Sequence, residues 1–288
     1  MSTLIESAKR VAFQGEPGAY ANLAAREALP HAQAIPTPTF EDAVEAVRTG
    51  DTDLCIIPVE NSLHGRIADI HHLLPEAGLY IVGEHFLRIR HQLLGVKGAS
   101  LEDIRTVMSQ APALGQCRKI IRDMRWTAQN WHDTAGSARY VAETKDRSLA
   151  AVASSLAGET YGLDILKADI EDEPHNMTRF LIMAREPDDA AHDGTPVVTT
   201  FVFRVRNVPA ALYKAMGGFA TNGVNMTKLE SYQLGGSFNA TQFYADIEGH
   251  PEDRSVRLAL EELQFFCSKL TVLGVYPAHP FRADMPAI

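Results

Sequence analysis

The chain has 288 residues, enough for two domains with substantial cores, and 45% apolar with 22% charged residues is ordinary for a soluble globular protein. A net charge of -9 argues against a nucleic-acid partner, so an anionic ligand would have to be drawn by local donors, helix N-termini and arginines. Cys55, Cys117 and Cys267 have no metal-ligand spacing and form no closed disulfide set, which predicts a reducing, cytoplasmic location. The first ten residues carry Glu6, Lys9 and Arg10 and no apolar stretch, so neither a signal peptide nor a membrane span is expected.

In chain order, Val11–Phe13 reads as a strand, followed by the turn Gln14-Gly15-Glu16-Pro17-Gly18-Ala19. Helices are predicted at Tyr20–Leu29 and at Phe40–Arg48, the second with Thr39 as N-cap and Glu41 and Asp42 in its first turn. Leu54–Pro58 is a buried strand running into a polar loop at 59–62, and Ile67–Leu74 is helical. Leu79–Val82, Gln92–Val96 and Arg105–Met108 read as strands. Gln110–Met124 reads as one helix with Ser109 as N-cap and Pro112 in its first turn. Thr134–Thr144 is helical and Ala150–Ala153 a short strand. This alternation predicts an α/β fold with largely parallel sheets and ligands at the carboxyl ends of strands.

At residues 176 to 180 the run Asn-Met-Thr-Arg-Phe leads into the apolar Leu181-Ile182-Met183-Ala184. An amide, a hydroxyl and a guanidinium at one strand mouth suit a site that holds an anion and donates a proton or hydrogen bond. Read locally, Asn176 and Thr178 also suit a turn, and Arg179 a solvated strand edge. Residues 185 to 196 form a polar Pro/Gly-containing linker, the best domain boundary. Beyond it the pattern changes. Thr199–Arg206 alternates, with Phe201, Phe203 and Val205 on one face and Arg204 and Arg206 on the other. Then come a helix over Pro209–Thr221, a strand over Asn225–Leu234, a turn at Gly235-Gly236-Ser237, a strand over Thr241–Ile247, an amphipathic helix over Asp253–Cys267 and a strand over Leu270–Tyr276. The order is the ferredoxin-like βαββαβ.

Other groups carry competing readings. The 14–18 turn lacks both the Walker and the dinucleotide glycine spacing; it can expose backbone N–H groups to a carboxylate or be a structural turn. Glu60 in the 59–62 loop needs a partner if buried, and Asn61 offers donor and acceptor. Gln116 and Cys117, seven and eight residues after Ser109, fall on its helical face. Cys117 reads as a small core residue. His64, His71, His72, His85 and His91 show no metal spacing and read as solvated or capping, while His175 sits in the loop before Thr178.

Taken in order, Phe13-Gln14-Gly15 with Gly18-Ala19-Tyr20, Pro58-Val59-Glu60-Asn61-Ser62 with Gly65, Ser109, Gln116-Cys117, Asp133-Thr134-Ala135, Tyr161-Gly162-Leu163 with Ile165-Leu166, and Asn176 with Thr178-Arg179-Phe180 resemble the prephenate dehydratase family with a C-terminal ACT domain. The resemblance implies a two-lobed, periplasmic-binding-protein-like catalytic domain over 1–188 and an ACT domain over 196–288. Lobe one would take about 1–82 and 170–188, and lobe two about 84–165. The implied activity is decarboxylative dehydration of prephenate to phenylpyruvate, with neither redox cofactor nor metal, inhibition by L-phenylalanine, and a homodimer or homotetramer. Arogenate dehydratase and a non-catalytic amino-acid sensor are the alternatives.

Thr178, Asn61, Ser109 and Gln116 are the expected catalytic residues, Thr178 as the donor to the leaving hydroxyl. Arg179, Glu60, Ser62, Gly18, Ala19 and Asn176 are expected to bind substrate, though Arg179 can instead pair with Glu60. Ala211, Leu212, Asn225, Glu230 and Ser231 match effector positions. The usual Gly-Ala-Leu-Tyr reads Ala210-Ala211-Leu212-Tyr213 here, the usual Glu-Ser-Arg-Pro reads Glu230-Ser231-Tyr232-Gln233, and the usual His-Pro-Gln after Ser109 reads Gln110-Ala111-Pro112.

Overall fold

Three β-sheets organise the chain. The structure is a computed structural model and describes residues 2–206, 208–233 and 240–284. The expected turn at Gly235-Gly236-Ser237 lies outside them.

The helix α1 (Thr3–Ser7) precedes the first sheet, which contains β1 (Arg10–Gln14), β2 (Gln33–Thr37), β3 (Leu54–Asn61), the two-residue β4 (Gly65–Arg66), β5 (Tyr80–Arg88) and, from much later in the chain, β11 (Met177–Ala184). Its order is β2-β1-β3-β11-β5, with β4 on β3. β1 is parallel to β2 and β3, but β11 runs antiparallel to β3 and β5. The sheet is therefore mixed where a largely parallel one was expected, because its returning strand enters from the opposite end. α2 (Tyr20–Ala28) packs on one face, and α3 (Phe40–Thr49) and α4 (Ala68–Leu73) on the other. Thr39 and Asp42 close a reciprocal capping box that starts α3 where expected.

The second sheet holds β6 (Gln92–Gly95), β7 (Thr106–Ser109), β8 (Thr127–Asn130), β9 (Leu149–Ala153) and β10 (Asp164–Lys167), in the order β10-β6-β9-β7-β8. Its helices are α5 (Ala111–Gly115), α6 (Arg118–Asp123), α7 (Thr134–Thr144) and α8 (Ser155–Tyr161). The single helix expected over 110–124 is two short ones. The break at Gln116–Cys117 is held from outside: Asp172 N–H donates to the Gln116 carbonyl (2.6 Å), and the Asp172 carboxylate accepts from the N–H groups of Arg118 and Lys119. The N-cap of α5 is Gln110, not Ser109, which ends β7.

The chain crosses between these sheets twice, through 89–91 and through 168–176. The crossings bond to each other, Ile170 N–H to the His91 carbonyl (2.9 Å) and Ile89 N–H to the Asn176 carbonyl (2.8 Å). At the start of α2 the two lobes also touch. Ser154 Oγ donates to the Gly18 carbonyl (2.6 Å), Arg139 pairs with Glu16, and Tyr161 donates to the Pro17 carbonyl.

The third sheet has β12 (Val197–Val205), β13 (Met226–Gln233), β14 (Ala240–Glu248) and β15 (Cys267–Pro277) in the order β13-β14-β12-β15, all antiparallel. α9 (Ala211–Thr221) and α10 (Arg254–Phe266) cover one face around Phe201, Phe203 and Phe219. This is the expected βαββαβ arrangement. Its other face is not solvated. Val198, Val202, Leu273 and Tyr276 share a core with Ile57, Val59, Ile81, Leu181 and Met183 of the first sheet. Contact is so close that a Cβ on Gly274 would lie 2.0 Å from the Ile81 carbonyl oxygen.

Arg179 sits in this interface, 3% exposed. Its guanidinium bonds Glu84 (2.8 Å), Glu60 (2.9 Å), Asp246 (2.5 Å) and the Tyr276 hydroxyl (2.8 Å). Arg282 forks onto Glu84, and Lys228 pairs with Glu60. Thr200 donates to Asp246. Burial alone would raise the Asp246 carboxyl, but the Arg179 guanidinium outweighs it and, with the Thr200 hydroxyl, holds it below the usual carboxylate range.

Three outcomes follow for stability. Gly274→Ala should cost at least about 1–3 kcal/mol in denaturant unfolding, since the atom it meets is backbone and cannot turn away. Arg179→Met should cost about 3–5 kcal/mol, because three carboxylates lose a shared partner. A depressed folded pKa contributes stability that is complete above the unfolded carboxyl value of about 4 and lost as pH falls through the folded one. The unfolding temperature of the native chain should therefore drop more steeply below about pH 4 than that of Asp246→Asn, measured by calorimetry.

Candidate active site

The two faces of β11 do different work. Side chains alternate along a strand, so Thr178, Phe180 and Ile182 point one way and Arg179, Leu181 and Met183 the other. β11 pairs with β3 so that Thr178 lies opposite Asn61 and Arg179 opposite Glu60; the register then slips by one residue at Val59. Thr178 and Asn61 share the face away from the third sheet. Arg179 and Glu60 share the face against it.

Asn61 is the hinge of the polar cluster. Its Oδ1 accepts from the N–H groups of Leu63 (3.0 Å) and His64 (3.1 Å), which orients the amide. Its Nδ2 is thereby aimed at Asn176 Oδ1 (2.7 Å), the Met177 carbonyl (3.1 Å) and Thr178 Oγ1 (2.9 Å). Thr178 thus accepts from Asn61, and no bond among the described residues uses its own hydrogen. That hydrogen is available to a ligand. Asn176, fully buried, donates from Nδ2 to Gln116 Oε1 (2.9 Å). This joins lobe one to the break between α5 and α6. Ser62 braces the same junction: it accepts from Met177 N–H and donates to the His175 carbonyl.

Two histidines read from sequence as solvated or capping complete the cluster. His64 Nε2 lies 2.6 Å from Gln116 Nε2, and His91 Nε2 lies 2.6 Å from Gln116 Oε1. His91 is 2% exposed, and burial lowers its pKa against the opposing pull of Gln116 and Glu171, which favours the neutral ring. Its Nδ1 meets the Tyr20 hydroxyl at 2.7 Å. The missed signal was position: His91 lies between β5 and β6, where the chain crosses lobes.

Several expected site residues are placed elsewhere. Arg179 and Glu60 are committed to the ion network of the third sheet, the pairing alternative for Arg179, and their charges face away from Thr178. Ser109 is fully buried and donates to the Val152 carbonyl (2.6 Å), so its hydroxyl joins neighbouring strands of the second sheet. Gly18 and Ala19 do not present free backbone donors. Gly18 N–H is taken by Asn22 Oδ1 (3.0 Å) and Ala19 N–H by the Glu16 carbonyl (3.0 Å). Gly18 serves closeness instead: at φ +88° a Cβ there would come 2.7 Å from Ala157 Cα. Cys117 is buried core, as expected, and burial pushes its thiol up.

Of the effector positions, Ala211 and Leu212 begin α9, and Asn225 precedes β13 with its amide on Glu248 (2.9 Å). Ser231 is exposed, with its carbonyl accepting from Arg66 (3.1 Å). Glu230 turns toward lobe one, beside Arg66 (3.6 Å) and Lys228 (3.4 Å). Among the described residues no helix is long and apolar enough to cross a membrane.

Residues 11–188 match the family model described as prephenate dehydratase. The bifunctional N-acyl-homoserine lactone acylase/prephenate dehydratase of Komagataeibacter europaeus is 51% identical over 272 residues, covering 94% of this chain and 97% of that protein. Arogenate dehydratase 2 of Petunia hybrida is 38% identical, over 93% of this chain and 72% of that one. The structure of prephenate dehydratase from Arthrobacter aurescens in complex with L-Phe superposes with a TM-score of 0.85 at 28% identity, covering 97% of this chain and 92% of that one. With a matching model over more than half its length and a relative 51% identical across 97% of that protein, this chain belongs to the prephenate dehydratase family.

Proposed function

We propose that the protein converts prephenate to phenylpyruvate in phenylalanine biosynthesis, in the cytoplasm, and is inhibited by L-phenylalanine. The observation that carries the reading is the Thr178 hydroxyl, held as an acceptor by Asn61 with its hydrogen unspent. In the reaction the bond to the ring carboxylate breaks, releasing CO₂, and its electron pair enters the ring. The ring C–O bond breaks, and the hydroxyl takes a proton and leaves as water. Aromatisation supplies the driving force. Thr178 donates to the departing oxygen; a threonine hydroxyl is a weak acid, so the amide network and a water-poor cleft must support it. Substrate carboxylates must be held by donors other than Arg179, which is spent.

Arogenate, named in the Petunia relative, differs by an ammonium in place of a keto group, and acyl-homoserine lactone is named in the Komagataeibacter relative. Each is a separate arm of one assay. The three cysteines are unpaired, which supports a reducing compartment. Tyr213 (82% exposed) and Phe265 (84%) on α9 and α10 support self-association of the third sheet and its helices as a homodimer or homotetramer. Ala210, where the family motif has glycine, adopts φ +62°, a conformation that favours glycine.

Purified protein should form phenylpyruvate from prephenate, and formation should fall when L-phenylalanine is added. No product sinks the enzyme reading, while product insensitive to phenylalanine sinks only the regulatory one. Thr178→Ala should lower kcat by about 10²–10⁴-fold with KM little changed; a lower KM with unchanged kcat contradicts the donor role. Ala210→Gly should raise stability by about 1 kcal/mol, read from the denaturation midpoint, by relieving the left-handed alanine.

A further inference from the structure

The amide of Gln116 has two ways to lie, and its two histidine neighbours allow both. In one, Gln116 Oε1 accepts from His91 Nε2–H and from Asn176, and Gln116 Nε2 donates to His64. His91 Nδ1 is then bare and accepts the Tyr20 hydroxyl hydrogen. In the other, the amide is reversed and His91 carries its proton on Nδ1, donating to Tyr20. Tyr20 in turn gives its hydrogen to the Arg90 carbonyl, 3.0 Å away. The tyrosine and histidine ends are tolerant of either state.

The Asn176 end is not. Leu63 and His64 N–H groups fix Asn61 Oδ1, so Asn61 Nδ2 must face Asn176, which must meet it with Oδ1 (2.7 Å). Asn176 Nδ2 is then forced toward Gln116 and requires an oxygen there (2.9 Å). Reversing Gln116 would leave a donor of a fully buried side chain facing another donor, a loss larger than that of one ordinary hydrogen bond. Polarity therefore runs one way: Tyr20 O–H to His91 Nδ1, His91 Nε2–H to Gln116 Oε1, Asn176 to Gln116, and Asn61 to both Asn176 and Thr178.

We infer that Tyr20 and His91 are positioning residues of the cleft: with the polarity set from Asn61, Tyr20 seats His91 and His91 donates to Gln116 Oε1, holding that oxygen against Asn176 and so steadying the amide chain that leaves the Thr178 hydrogen free. The inference rests on the dehydratase reading for its consequence in turnover, but not for its geometry. Tyr20 comes from the first turn of α2, His91 from a lobe crossing and Gln116 from the break in lobe two, so the relay also reports whether the lobes are together.

The test has two readouts. In the full-length protein at neutral pH, nitrogen-15 spectra of the histidine rings, with the His91 signals assigned by their loss in His91→Gln, should show Nε2 protonated and Nδ1 bare. A protonated Nδ1 overturns the inference whether or not the protein turns over prephenate. In kinetics, Tyr20→Phe keeps the ring and removes the hydroxyl. It should lower kcat about five- to tenfold with KM within about twofold, the size expected for one lost hydrogen bond. In a Gln116→Ala background the same change should have no further effect, because the group through which it acts is gone. A Tyr20→Phe penalty that persists undiminished in that background shows a merely structural role and overturns the inference, as does an unchanged kcat. If the native protein makes no phenylpyruvate, the dehydratase reading falls and the ring spectra alone decide the relay.

Discussion

The structure depends on where the charge of Arg179 is put. A guanidinium 3% exposed is tolerable only with compensation, and here it has three carboxylates and a phenol hydroxyl. The partners come from three places: Glu60 on β3, Glu84 on β5, and Asp246 with Tyr276 on the third sheet. Arg179 can be satisfied only when β11 is inserted between β3 and β5 and the third sheet lies against them. Its neighbours Leu181 and Met183 continue the same face into the shared apolar core, so ionic and apolar burial demand the same docking. Asp246 and Glu60 are held below their usual range by Arg179 despite burial, Glu60 with Lys228 as a second cation.

The same strand places the catalytic candidate. Thr178 is the residue before Arg179 and, by the pleat, projects to the opposite side, into the amide chain of Asn61 and Asn176. One peptide unit thus separates the ion network of the third sheet from the hydroxyl in the cleft. The β3–β4 hairpin makes a second connection: Asn61 and His64 belong to the cleft cluster, while Arg66 reaches Ser231 and Glu230. Any change in how the third sheet sits is therefore in physical contact with both sides of the site. The connection needs no long path through the 185–196 linker, which is itself tied down, with Asp188 capping α1 and Ala190 bonded to Val275.

The lobes meet in two ways. Backbone hydrogen bonds join the crossings near His91 and Asn176, and side chains of α7 and α8 donate to the turn just before α2. Gln116 stands between them because α5 stops and α6 starts anew. That break depends on Asp172, from the returning crossing, which supplies the N-terminal cap that no residue of α6's own sequence provides.

Local physics determined much of this from sequence alone. Thr39 with Asp42 marks a helix start because a hydroxyl and a carboxylate three residues apart close a box with no outside help. Phe201, Phe203 and Val205 mark an alternating strand, and Asn222-Gly223 a helix stop, for equally local reasons. The order of motifs indicated the family, and Asn61, Gln116, Asn176 and Thr178 do come together. What only the tertiary structure decided was direction and partnership. Adjacent residues of a strand face opposite ways, so Asn61 and Glu60, or Thr178 and Arg179, cannot all line one site. Which face is the cleft depends on Asp246, 67 residues from Arg179, and on Glu84, 95 residues from it. The places of Ser109 and His91 were decided in the same way. A hydroxyl beside a neighbouring strand's carbonyl is spent there, and a histidine where the chain crosses lobes becomes a bridge. Neither neighbour is present in the local sequence.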